Sequence, residues 1–205
     1  MSGINKSLIL HGGLIALLLV LGFVLPPYHH GNLARVMVLA VYAMGYNVLF
    51  GYTGLLSLGH AMFFAAGMYG MGLSIQHLGF SAEAALLSGI VAAFVLSTVV
   101  GLLALRTTGV AFMIVTLMFA QTGYLVILYF GEWTRGDEGF VIQKASRVIA
   151  GFDVSDPANR YMAALILFAI CLALILKLVQ NPFGKVLIAI RENEDRARML
   201  GYDIF

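Results

Sequence analysis

Apolar residues run along this chain in long blocks, broken by short polar or glycine-rich intervals. A helix that crosses a hydrocarbon core roughly 30 Å thick needs about 20 predominantly apolar residues. Six blocks approach that length, at residues 8–25, 33–50, 61–79, 82–104, 110–130 and 161–179. The pattern predicts an all-α, polytopic membrane protein with about six membrane segments. Between the second and third blocks lies Gly51-Tyr52-Thr53-Gly54-Leu55-Leu56-Ser57-Leu58-Gly59-His60, which has three glycines and two hydroxyl-bearing residues beside Tyr52 but no charge. This stretch breaks helical continuity. It either turns at a membrane face or enters the membrane as irregular backbone, which is tolerated only where protein or water satisfies its polar groups. The sequence is compatible with both, so the break is expected to be either a surface turn or re-entrant.

Composition agrees with the pattern. Hydrophobic residues make up 61% of the 205 and charged residues only 11%, against about 25% charged in ordinary soluble domains. A soluble globular enzyme is thereby excluded. Charge is confined to islands: no Lys, Arg, Asp or Glu lies between Lys6 and Arg35, between Arg106 and Glu132, or between Arg160 and Lys177, and Glu83 stands alone between Arg35 and Arg106. The net charge of +2 is dispersed, so there is no basic patch for nucleic acid. Cys171 is the single cysteine, which rules out an intrachain disulfide and a cysteine-rich zinc site. The first block is longer than a signal-peptide core and lacks a small-residue cleavage site before Pro26-Pro27, so it reads as a retained span.

Orientation follows from Lys and Arg near the span ends, because cytoplasmic loops carry the excess. With a cytoplasmic amino terminus and six spans, the inner side collects Lys6, Arg106, Lys177, Lys185, Arg191, Arg196 and Arg198. The outer side keeps Arg35, Arg135, Lys144, Arg147 and Arg160, four of them in one long loop, where the rule counts charge less strictly. Both termini are expected to be cytoplasmic.

Ala66, Gly70 and Ser74 recur every four residues in the third block, a small-residue stripe that lets a second helix approach closely. After the last span, Asn181-Pro182 supplies an N-cap followed by proline at the first helical position. Phe183, Val186, Leu187, Ile190 and Ala197 form one apolar face, and Glu192 with Arg196 and Glu194 with Arg198 are spaced as i,i+4 ion pairs. With Gly201 as a stop, residues 181–205 read as a charged amphipathic helix, or two short ones, attached to the permeating domain of residues 1–180. Periodicity alone allows it to lie on lipid or to dock on a partner protein. His29 and His30 beside Pro26-Pro27 belong to a short outer loop and would need another ligand to hold a metal. His11 and His77 lie at or near apolar segments. His60 lacks the partners of a catalytic triad, so packing or hydrogen bonding within the break is expected of it.

Three blocks resemble a known family. Gly51-Tyr52-Thr53-Gly54-Leu55-Leu56-Ser57-Leu58-Gly59-His60-Ala61-Met62-Phe63-Phe64 resembles the signature of the permease subunits of branched-chain amino-acid ABC transporters, a family that also includes urea and short-amide permeases. Leu105-Arg106-Thr107-Thr108-Gly109-Val110-Ala111-Phe112-Met113-Ile114-Val115-Thr116-Leu117 resembles a second block, and residues 181–201 resemble the cytoplasmic coupling segment. The resemblance spans about residues 30–205. It implies an integral bacterial inner-membrane permease that pairs with a second permease subunit, two cytoplasmic ATPase subunits and an extracytoplasmic substrate-binding protein. Gly184, Arg191, Glu192, Glu194, Ala197 and Gly201 carry over as ATPase-coupling positions. ATP itself is expected on the partner subunits, since no Gly-rich loop ending in Lys-Ser/Thr is present, and no cofactor or metal is expected to bind directly.

The family pattern has small paired residues where this chain has Arg196 before Ala197. In Thr134-Arg135-Gly136-Asp137-Glu138-Gly139, Arg135 replaces a glycine of a Thr-Gly-Gly-x-x-Gly pattern. Family members continue with further spans, so the chain reads as an amino-terminal portion. Gly51, Gly54 and Gly59 shape the break, and Tyr52, Thr53, Ser57 and His60 are the polar groups expected to line a pathway, with packing of a tight turn as the competing explanation. A proton-coupled transporter would usually place an acid or histidine inside a span as a relay, whereas Glu83, the only acid near mid-sequence, begins a helix, where it interacts favourably with the dipole. A secondary transporter or channel and a urea or amide permease remain the alternatives to an ATP-driven amino-acid importer.

Overall fold

The computed structural model describes residues 2–142, 147–149 and 151–202. Lys144, the side chain of Lys6 and residues 203–205 of the carboxy-terminal segment fall outside this description. Among the described residues there are six long helices: α1 (Ser2–Val24), α2 (Pro27–Asn47), α3 (Ala61–Leu78), α4 (Ala82–Ala104), α5 (Gly109–Tyr129) and, after the single turn α6 (Gly131–Thr134), α7 (Pro157–Gln180). Two short helices follow, α8 (Pro182–Glu192) and α9 (Glu194–Met199). Pro27–Tyr52, Ala82–Ala104, Gly109–Tyr129 and Pro157–Gln180 are each long and apolar enough to cross a membrane. The apolar part of α1 is shorter, Ile9–Val24, and α3 is diluted by three glycines, Gln76 and His77. The protein is all-α apart from a small antiparallel hairpin, β1 (Val148–Ile149) with β2 (Phe152–Asp153), which lies in the long loop and was not evident from the apolar pattern.

Helices α2 and α7, like α1, start earlier than their apolar blocks. Pro27 and Pro157 occupy the first turns of α2 and α7, where proline's missing N–H is one the helix would leave unpaired anyway. Asp156 caps α7 by accepting the Asn159 N–H at 3.2 Å. Consequently Arg35, expected near the start of the second span, lies more than two turns inside α2, and Arg160 is in the first turn of α7 rather than in the long loop. His29 and His30 are likewise in the first turn of α2 rather than in a loop. His30 is buried with its ring 5.2 Å from that of Tyr161.

The helices pair by two different kinds of contact. Between α2 and α7, large side chains interdigitate: Met37, Tyr161, Leu165, Phe168 and Leu172 are all buried in one cluster. The Tyr161 hydroxyl donates to the Leu18 carbonyl and so ties α1 to this pair. Between α3 and α4 the backbones approach closely, since a Cβ on Gly70 would lie 2.7 Å from the Ala92 Cβ and one on Gly89 would lie 2.6 Å from the Gly67 carbonyl oxygen. The hydroxyls of Ser74 and Ser88 meet at 2.7 Å across the same seam. Gly70 and Ser74 thus pack as the small-residue stripe predicts, with Gly67 rather than Ala66 completing the strip. Ala66 lines a cavity facing α5 instead. At the far end of α3 the His77 Nε2 and the Trp133 carbonyl oxygen lie 2.9 Å apart, a contact the sequence did not suggest.

The carboxy-terminal segment is two helices rather than one. Asn193 takes an extended conformation and its side chain accepts the Arg196 N–H at 2.9 Å, capping α9. Asn181 occupies the N-cap position of α8 without a side-chain capping bond. The break at Asn193 separates Glu192 from Arg196, so the expected i,i+4 pair does not form. Glu192 pairs with Arg191 at 2.6 Å instead, and Glu194 and Arg198 make no ion pair. Gly201 ends α9 with φ +87, its N–H bonded to the Arg198 carbonyl and that of Tyr202 to the Ala197 carbonyl, the paired closure that a left-handed glycine allows.

Candidate functional site

The break is built from the end of α2 inward. Helix α2 widens into a π turn over Val48–Tyr52, a feature frequent at functional sites. Gly54, at φ +76, stops it. The Gly54 N–H bonds to the Phe50 carbonyl and the Leu55 N–H to the Leu49 carbonyl, each reaching one residue further than in the usual helix-ending motif. The Thr53 hydroxyl donates to the Leu49 carbonyl. Tyr52 is half-buried at the end of this turn.

From Leu55 the chain runs back into the bundle without helical structure until Ala61. The Leu58 N–H donates to Thr116 Oγ1 at 3.2 Å, and Thr116 Oγ1 donates to the Met113 carbonyl at 3.0 Å. Gly59 rests directly on the α5 backbone: an added Cβ would overlap the Thr116 carbonyl oxygen and lie 3.3 Å from the Ala120 Cβ. Thr116 is seven residues past the start of α5, a depth of about 10 Å at 1.5 Å per residue. The stretch therefore combines a turn at Thr53-Gly54 with an irregular limb, Leu55 to His60, that packs back into the helix bundle. The short limb also explains why α3 begins deep in the bundle.

His60 ends the limb among aromatic rings, with centroids 5.2 Å from Tyr42, 5.3 Å from Tyr46 and 5.8 Å from Phe63. Its Nδ1 and the Ser57 hydroxyl are buried without a hydrogen-bond partner among the described residues. Packing within the break is thus what the His60 ring does, while its nitrogen and the Ser57 oxygen stay available to other polar groups.

The carboxy-terminal helices dock on the turn. Arg191 Nη1 donates to the Gly51 carbonyl oxygen at 2.6 Å, while Nη2 holds Glu192. A cation at the carboxy-terminal end of a helix also interacts favourably with its dipole. The Arg191 stem lies over Gly54, whose Cβ would come 2.7 Å from the Arg191 Cγ. A cavity of about 420 Å³ beside this contact is lined by Thr53, Leu55, Leu105, Thr108, Glu194 and Arg198, among others. Residues from all three sequence blocks therefore meet at one place. Gly184 is buried at the α7–α8 corner, where a Cβ would strike the Val179 backbone, and Ala197 is buried in α9.

Arg191, Gly51, Gly54, Thr53 and Glu194 are thus brought together, whereas Ser57, Gly59 and His60 form a second, deeper group. Gly184 and Gly201 shape the ends of α8 and α9, and Glu192 points outward, 68% exposed. Sequence reasoning missed Thr116, although it lies in the second block, and Tyr42 and Tyr46, whose i,i+4 spacing puts both on one face of α2.

The fold and this site define a polytopic, all-α membrane protein in which a re-entrant break is docked on a pair of polar helices. Residues 30–205 match the family described as branched-chain amino acid transport system / permease component, and the chain belongs to that family. It is 30% identical over 189 residues to the high-affinity branched-chain amino acid transport system permease protein LivM of Salmonella typhimurium strain LT2, covering 80% of this chain and 44% of that protein. The same identity and coverage hold against LivM of Escherichia coli strain K12. The chain thus spans less than half the length of these curated relatives. No solved structure is a significant match.

Proposed function

We propose that the chain is a permease subunit of an ATP-driven importer for branched-chain or related amino acids, with both termini in the cytoplasm of a bacterial cell and the bundle in its inner membrane. The observation that carries this reading is the Arg191 bond to the Gly51 carbonyl, which joins the helices expected to meet an ATPase to the break expected to border the pathway. A second permease completes the path, two cytoplasmic ATPase subunits grip α8 and α9, and an extracytoplasmic binding protein delivers substrate. ATP is bound and hydrolysed on the partners. Glu192, exposed beside Arg191, and Glu194 face the ATPase, with Gly184, Ala197 and Gly201 setting the shape of the docking helices.

Movement of α8 reaches the turn through Arg191, and the limb passes it to α5 through Leu58 and Thr116. Rigid helices rocking about a bistable contact are a standard route to alternating access. Tyr52, Thr53, Ser57 and His60 border the path, and the unsatisfied Ser57 hydroxyl and His60 Nδ1 support that placement, because buried polar atoms rarely go without partners.

Co-purification of the tagged chain from membranes tests the assembly. An ATPase and a second permease should be recovered, and Glu192→Lys with Glu194→Lys should release the ATPase alone. Recovery of the chain by itself, or an ATPase that survives the double substitution, would overturn the assignment of α8 and α9.

A further inference from the structure

A large cavity lies at the opposite end of the bundle from Arg191. It is a groove of about 680 Å³ between α2, α3, α4 and α7, walled by side chains such as Val38, Leu39, Met68 and Leu167. Leu39 and Met68 are more than half exposed, so the groove opens sideways. Among the described residues, Arg35 and Arg160 are its only charged lining residues. Among the described residues neither guanidinium has a hydrogen bond or an ion pair, and Arg160 Nε is buried without a partner. Arg160 stands in the first turn of α7, and Arg35 lies in the third turn of α2, where a Cβ on Gly31 would come 3.2 Å from Arg160 Nη2.

Two guanidiniums at the starts of apolar helices stand where lipid headgroups lie, and the buried, partnerless Arg160 Nε leaves this pair with donors that an anion would satisfy. The groove accordingly asks for a ligand with an anionic head at the end of the helices and a long apolar body. A free amino acid fits poorly, because no acidic side chain lines the groove to take its ammonium. A protein partner would have to bring its own acid to this level, whereas the bilayer supplies anionic headgroups beside the helix ends. We propose that the groove binds an anionic phospholipid, with the phosphate held by Arg35 and Arg160 and one acyl chain laid along Val38, Leu39, Met68 and Leu167. Arginine suits this role because its planar fork bonds phosphate oxygens in pairs. The proposal is independent of the transport reading.

The test uses the full chain purified in mild detergent and placed in nanodiscs of phosphatidylcholine, with or without phosphatidylglycerol. Native mass spectrometry should find phosphatidylglycerol retained in preference to phosphatidylcholine, and the melting midpoint should rise only with the anionic lipid. Arg35→Gln and Arg160→Gln should each weaken that preference about tenfold, the scale of one lost charged hydrogen bond. Lysine at both positions should restore part of it. If the glutamine variants do not insert, added salt should still erode the preference of the unaltered chain. Equal retention of both lipids, a preference unchanged in the double glutamine variant, or stabilisation by free leucine instead of lipid would overturn the proposal.

Discussion

The two limbs of the break are anchored in opposite ways. The deep limb is fixed against α5 at close range, with Gly59 pressed on the Thr116 backbone carbonyl and the Leu58 N–H bonded to the short Thr116 side chain. The shallow turn is held by one long side chain, Arg191, which reaches from another helix to the Gly51 carbonyl. A backbone contact cannot yield without shifting a helix, whereas an arginine can swing and re-form its bond. The difference assigns rigidity to one limb and adjustability to the other, which is what the proposed coupling between an ATPase and a pathway would require.

The largest effect should come from the rigid limb. Gly59→Leu has no space for its side chain, and overpacking against backbone costs about 3 kcal/mol or more. Uptake by the assembled transporter should vanish and the melting midpoint should fall. Gly54→Leu should also abolish uptake, but by a different route: φ +76 adds about 1–2 kcal/mol of strain for any side chain, and the Arg191 stem must leave. The variant should still insert and keep its fold. Normal uptake by both variants would remove the break from the mechanism.

Arg191→Ala sharpens the contrast. The side chain is 40% exposed, so its loss should cost about 1 kcal/mol or less in stability. Uptake should nevertheless fall about tenfold or more while the ATPase remains bound, since α8 keeps its own surface. Arg191→Lys, which restores a charge but not the fork, should recover only part. Thr116→Val should do the reverse. It removes the acceptor for the Leu58 N–H and should lower stability by about 1–2 kcal/mol, with uptake declining in proportion to the folded fraction.

Much of this architecture could be read in the sequence, because membrane spans announce themselves by length and by the absence of charge. The α4 boundaries match the apolar block at 82–104 residue for residue. Early turns of α2 and α7 were hidden because Pro27 and Pro157 look like breaks until their place at a helix start is recognised. That is why His30 and Arg160 read as loop residues. Within the break, the glycines identified the interruption but could not place it in depth, since depth is decided by α5, more than 50 residues away. The docking of Arg191 on Gly51 is likewise nonlocal, a contact between residues 140 apart, and no periodicity encodes it. The division of α8 from α9 was masked by good i,i+4 spacing, which Asn193 overrides by capping the second helix with its own side chain.

The smallest expected effect lies at the other end of the bundle and serves as the control. Arg135 has φ +57, a left-handed conformation that costs a side-chain-bearing residue about 1–2 kcal/mol. The loop is forced into it because Thr134 is buried, its hydroxyl 2.6 Å from the Ile127 carbonyl and accepting the Gly136 N–H. Both bonds require the chain to reverse at residue 135. Glycine, which the family pattern places there, fits this backbone without strain. Arg135→Gly should therefore raise stability, with the gain reduced to roughly 0.5 kcal/mol by the greater freedom of glycine in the unfolded chain. Its melting midpoint in detergent should rise slightly with uptake unchanged, because neither limb of the break touches this loop. A loss of uptake in a stabilised Arg135→Gly variant would mean that the arginine itself acts in transport, and that adjustability is not confined to the Arg191 side of the molecule.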